Sequence, residues 1–194
     1  MDYLDSTELR KLRLNQVAII NGLMTIIMIS FFIIINKFSI TFSQFFLIIG
    51  VIALFQGVFG LIKGDSTKSF IPLFEKIAIY EKQKMGKEWY KQRKVGYIWQ
   101  LLLSVLMFLQ SYWNRDTNDH IFQFDFGFIG ILLIILLTMV NISMLLHFRK
   151  VDRSNSLSDM KGYTWKSNLF SIAVGIIFTF AIFFITIFYL ISNY

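Results

Sequence analysis

The chain has 194 residues, 56% of them hydrophobic and 18% aromatic, with one proline, a mean hydropathy of +0.61 and a formal net charge of +7. That composition is far from the average of a soluble domain and leaves few residues for a water-facing surface. The absence of cysteine excludes disulfides, Cys-ligated zinc, iron–sulfur clusters and Cys nucleophiles.

Five apolar stretches of 17 to 27 residues organise the chain, at 17–36, 40–62, 97–113, 121–147 and 168–191. A helix needs about 20 residues to cross a hydrocarbon core of about 30 Å, so each stretch has the length of a span. The predicted fold is all-α: an integral membrane bundle of five transmembrane helices and one amphipathic cytoplasmic helix. The segments 1–16, 17–62, 63–96, 97–147, 148–167 and 168–194 form one membrane domain. Lys and Arg number 3, 1, 9, 1, 5 and 0 in the six segments between and around the spans, so alternate segments hold 17 of the 19. By the positive-inside rule this places the N-terminus in the cytoplasm and the C-terminus outside a cell membrane. The basic charge follows topology and does not indicate nucleic acid. Heavy use of Ile, Phe, Lys and Asn hints at an AT-rich bacterial genome.

Residues 1–16 mix Asp2, Asp5 and Glu8 with Arg10, Lys11 and Arg13 and lack a small-residue cleavage site, so the first span is expected to be retained. The second span carries a seam of small residues, Gly50, Ala53, Gly57 and Gly60, whose spacing keeps them on one helical face. The seam reads as packing within the bundle, with self-association through the same face as the alternative. Ser171 and Gly175 repeat the small-residue spacing on the fifth span.

In segment 63–96, Phe70, Leu73, Phe74, Ile77 and Ala78 recur at helical spacing opposite Glu75 and Lys76. Ser69 is a candidate N-cap, Pro72 fits only a first turn, and Gly86 is expected to break the helix. Lys84 and Glu88 stand at the i,i+4 spacing of an ion pair. The stripe predicts an in-plane helix on anionic lipid, with Lys82, Lys84, Lys87, Lys91, Arg93 and Lys94 toward the headgroups; an ordinary charged connector is the alternative. Segment 148–167, polar and aperiodic, reads as an irregular connector.

Polar residues inside the spans are few. Gln56, Gln100, Asp125 and Asn141 are the candidates for a polar membrane site, with Ser104 close to Gln100. Asp125 is the single acid within a span and sits near its outer end. Asp116, Asp119 and His120 supply oxygen and imidazole ligands, but their spacing matches no metal-site pattern. His147, at the inner end of the fourth span, reads as an interfacial cap or a titrating group. No zinc-protease motif and no phosphate-binding glycine loop is present. No catalytic, cofactor or metal residue is assigned.

The expected function is therefore that of a non-enzymatic accessory, regulatory or protective membrane protein acting by contact with another membrane component. The expected partners are anionic headgroups and either a membrane protein or a second copy. The alternatives are a small oligomeric permease or channel lined by Gln56, Gln100, Ser104 and Asn141, and an enzyme acting on lipid or peptide. The enzyme requires convergent polar side chains that the sequence does not display.

Overall fold

The computed structural model describes residues 5–117 and 126–193. Among these residues the chain is helical without a strand: α1 (Ser6–Lys37), α2 (Phe42–Lys63), α3 (Pro72–Met85), α4 (Lys87–Trp113), α5 (Phe126–Asp152), a 3-10 turn at Leu157–Met160, and α6 (Tyr163–Asn193). Five helices are long and apolar enough to cross a membrane, which is compatible with a multi-pass membrane protein. The expectation for Asp119, His120 and Asp125 lies outside the described residues.

The helices are longer than the apolar stretches that nucleate them. α1 has 32 residues, and at about 1.5 Å per residue that is about 48 Å, well beyond a core of about 30 Å. The excess lies where the basic residues gather. α1 runs unbroken through 6–16, and α4 begins at Lys87, ten residues before its apolar stretch. We call this the basic end of the bundle.

These extensions pack around α3. Met85 of α3, Trp89 of α4, Val151 of α5 and Met160 of the 3-10 turn form one buried cluster, with Ala78, Tyr80 and Tyr163 against it. Met85, Val151 and Met160 are almost wholly buried. Over their most apolar stretches the long helices bury little, and α6 buries nothing. Helices this apolar and this little buried are compatible with contact to lipid tails.

Local chemistry explains the elements at this end. Pro72 is the first residue of α3, where its missing N–H costs nothing. Ile71, not Ser69, occupies the cap position, and its side chain makes no capping bond. Gly86 separates α3 from α4 with φ +56°, a region that side chains rarely adopt, and a Cβ there would stand 3.1 Å from Leu157. Lys84 therefore never meets Glu88 across one helix; it donates to the Ser154 carbonyl at 2.9 Å, while Glu88 pairs with Lys91 at 2.9 Å.

Segment 148–167 is more ordered than expected. α5 continues to Asp152, and Ser156 and Asp159 form a capping box over the 3-10 turn. Polar composition concealed this because the order comes from a few apolar residues, Val151 and Met160, sunk into the cluster. The apolar stripe of α3 likewise turns inward: Ile77 is buried on protein, and Leu73, Phe74 and Ala78 are half-buried. Phe70 lies outside the helix and is fully exposed.

Candidate functional site

The basic end holds a buried ionic cluster centred on Arg13. Its Nη2 and Nε donate to Asp152 Oδ1 and Oδ2 at 2.8 and 3.3 Å, a bidentate contact. Its Nη1 donates to Glu81 Oε1 at 2.7 Å and to Gln16 Oε1 at 3.0 Å. The guanidinium also lies over the Phe148 ring, 4.2 Å from its centroid. The Arg13 side chain is 8% exposed, Glu81 14% and Asp152 23%. A cation this buried requires such compensation, because desolvation alone would expel it.

The chain of contacts continues through His147. Its Nε2 lies 3.3 Å from Glu81 Oε1 and its Nδ1 2.8 Å from the Tyr163 hydroxyl. The ionised carboxylate can only accept, so His147 Nε2 donates to Glu81, and Nδ1 shares a hydrogen bond with the Tyr163 hydroxyl. Six side chains from α1, α3, α5 and α6 thus form one hydrogen-bonded network.

Burial raises the affinity of Glu81 for a proton. The hydrogen bond from His147, with the charges of His147 and Arg13, outweighs it and holds the carboxyl below its ordinary value. Tyr80, at the edge of the cluster, is pushed up to about 12, first by burial and then by the Asp152 carboxylate. Beside this network a cleft of about 630 Å³ opens between the start of α1, α3 and the segment after α5. Leu9, Lys76, Tyr80, Lys84, Asp152 and Leu157 are among its walls, so the cleft presents apolar surface with both signs of charge.

The residues singled out in the sequence are distributed differently. Gly50, Ala53, Gly57 and Gly60 are the buried residues of α2. A Cβ on Gly50, Gly57 or Gly60 would fall 2.8, 2.7 or 2.2 Å from Phe108, Leu101 or Tyr97 of α4, so the seam lies against α4 of the same chain. Ser171 is exposed, and nothing lies within 4 Å of a Cβ on Gly175.

Gln100 Nε2 donates to Gln56 Oε1 at 3.4 Å between α4 and α2. Asn141 is elsewhere, exchanging two 3.1 Å hydrogen bonds with Asn21 of α1. Gln100 Oε1 and the Ser104 hydroxyl are buried without a hydrogen-bond partner.

The basic run is largely engaged by the protein itself. Lys82 reaches Asp65 at 3.3 Å, Lys84 and Lys91 are held as described, and Arg93 donates to the Tyr97 hydroxyl and the Ser66 carbonyl. Lys87 and Lys94 form no ion pair among the described residues.

The Arg13 cluster escaped sequence reasoning because its partners are 68 and 139 positions away. Arg13 looks like Arg10 and Lys11, and its only local signal is Gln16 one turn on. Among the described residues no group of three or more His, Asp or Glu side chains is placed to hold a metal ion. No family model, curated protein or solved structure matches the chain.

Proposed function

We propose that the chain is a multi-pass protein of a bacterial cell membrane that works by contact with another membrane component, without catalysis. Its basic end, with α3 lying across it, is the cytoplasmic working face. The C-terminus is outside. The charge split along the sequence supports the orientation, with 17 of 19 basic residues on the α3 side.

The observation that carries the reading is where polar chemistry is used. Within the spans, Asn21 and Asn141 satisfy each other, as do Ser43 and Ser111 at the opposite end. The 630 Å³ cleft and the Arg13 ionic network lie together at the basic end. A rigid, charged and partly apolar surface there suits docking of a protein segment. A permease is less well supported, since Asn141 and the Gln56–Gln100 pair belong to different helix pairs.

One observation favours an enzyme as the second reading. Convergent polar side chains exist after all, and Tyr80 and Asp152 of that set line the cleft. Against it, Arg13 engages both carboxylates and His147 also engages Glu81, which suits a structural clamp better than a reacting group.

The test is site-specific photo-crosslinking in native membranes. A probe at Leu157, in the cleft, should yield one discrete adduct with a membrane component, while a probe at exposed Phe188 on α6 should yield lipid alone. No adduct from Leu157, with a bare homo-oligomer in native mass determination, would overturn the docking reading in favour of the permease. A reporter active only in the cytoplasm should work when fused at residue 85 and stay silent at the C-terminus.

A further inference from the structure

A second recess, of about 550 Å³, lies at the end of α5 and is lined by Leu146, Arg149, Lys150, Arg153, Ser154 and Asp159. Leu146, Arg149, Lys150 and Arg153 stand at i, i+3, i+4 and i+7, so they share one side of the helix and its continuation. All four are exposed. None of the three cations takes part in an ion pair among the described residues. In this they differ from Arg13, Lys82, Lys84, Lys91 and Arg93, whose charged groups are tied to protein oxygens.

The single carboxylate of the recess is already committed. Asp159 Oδ2 accepts from the backbone N–H groups of Asn155 and Ser156 at 2.9 and 3.0 Å, closing its own turn. Three cations then face one occupied acid, and an anionic oxygen ligand is the complement. Guanidinium groups flanking an ammonium suit a phosphate, which guanidinium can bind with two parallel donors.

The apolar side of the recess decides between a soluble phosphate and a lipid. Leu146 is 41% exposed one turn before Lys150, and Ile142, four residues further back on the same face, is 50% exposed. A ligand with its phosphate on the cations would lay an attached acyl chain along Ile142 and Leu146, toward the middle of the apolar stretch. A free phosphate would make no use of that rail. Basic pockets at the ends of transmembrane helices are general sites for acidic headgroups.

We propose that this recess binds the phosphodiester headgroup of an anionic phospholipid, with Arg149, Lys150 and Arg153 on the phosphate and Leu146 and Ile142 against an acyl chain. The inference uses the reading of α5 as a membrane span but not the docking role of the cleft. It moves the lipid contact from the 82–94 run, most of which the protein consumes internally, to the end of α5.

The experiment is native mass spectrometry of the full chain in detergent, with phosphatidylglycerol or phosphatidylcholine added. Phosphatidylglycerol should be retained preferentially, and Arg149→Gln with Arg153→Gln should weaken that retention about thirtyfold, at about 1 kcal/mol for each basic residue. Lys87→Gln with Lys94→Gln should leave it unchanged. If the double variant does not fold, Arg153→Gln, beyond the last helical residue, reads the same loss at smaller size. Equal retention of the two lipids, or an equal fall in both double variants, would overturn the site. Displacement by millimolar inorganic phosphate would identify a free-phosphate site instead and overturn the lipid. Release of the protein from membranes by alkaline carbonate would overturn the spanning reading itself, so the two failures are distinguishable.

Discussion

Arg13 and Asp152, 139 positions apart, are joined edge to edge, Nη2 to Oδ1 at 2.8 Å and Nε to Oδ2 at 3.3 Å. The contact fastens the end of α5 to the start of α1, and Glu81 brings α3 onto the same guanidinium at 2.7 Å. One cation thereby holds three helices beyond their apolar stretches. Removing it leaves two carboxylates facing each other in a poorly hydrated site. Arg13→Ala should destabilise the protein by about 3 kcal/mol, at the lower end of the cost of breaking a buried pair because Asp152 is partly exposed. Denaturant titration in mild detergent measures it; a loss below about 1 kcal/mol, the level of a surface pair, would contradict the clamp.

Acid should weaken the same site. The carboxyl of Glu81 is held below its ordinary value of 4.5, so the unfolded chain binds its proton at higher pH than the folded one. The stabilisation is therefore complete above 4.5 and is lost as pH falls through the folded value. Glu81→Gln should be less stable at neutral pH and should lack this acid limb. At the alkaline side Tyr80 is raised from 10.0 to about 12, so its contribution is full below 10 and declines as pH rises toward 12. Tyr80→Phe should flatten that decline. Stability profiles of the three proteins between acid and alkaline limits check both signs.

The sequence was most legible where a property is local. Five apolar stretches announced five long helices because span length is set by bilayer thickness. Gly86 announced its break because only glycine is at ease at φ +56°. The stripe on α3 revealed a face but not its partner, since Ile77 would suit a lipid surface and a protein core equally. The Arg13 network was illegible: apart from Gln16 one turn on, nothing near Arg13 distinguishes it from Arg10, and the contacts depend on how α1, α3 and α5 converge. Met160 was hidden for the same reason, an apolar residue in a mostly polar segment whose burial is decided by tertiary packing.

The α2–α4 contact is the most extensive between any two elements, and it depends on absent side chains. At Gly60 a Cβ would fall 2.2 Å from the Tyr97 ring. That ring cannot swing away freely, because its hydroxyl accepts from Arg93 Nη2 at 2.8 Å. At Gly57 the obstacle is the tip of the Leu101 side chain, which can rotate, with the Tyr97 carbonyl at 3.2 Å behind it. Gly60→Ala should therefore cost about 1–3 kcal/mol, the range for overpacking a close contact, and more than Gly57→Ala. Thermal melts of the two variants in one detergent give the order; the reverse order would mean that Tyr97 yields and that α2 is held chiefly at Gly57.

Asn21 and Asn141 place the only reciprocal amide pair among the described residues between α1 and α5, at 3.1 Å in both directions. Each amide oxygen and nitrogen has a partner, and Asn141 Nδ2 also donates to the Leu137 carbonyl at 2.7 Å. If this pair serves helix association, Asn21→Ala and Asn141→Ala should each destabilise, and the double variant should be hardly worse than either. Their coupling should be about 0.6 kcal/mol and no more than about 1.7, since the unfolded chain in detergent or lipid also finds partners for an amide. If instead Asn141 lined a transport path, its replacement would change flux through proteoliposomes without changing stability. A double-mutant cycle of unfolding in detergent separates the two: coupling of that size assigns the pair to packing of α1 on α5, and additive effects would release Asn141 for another role.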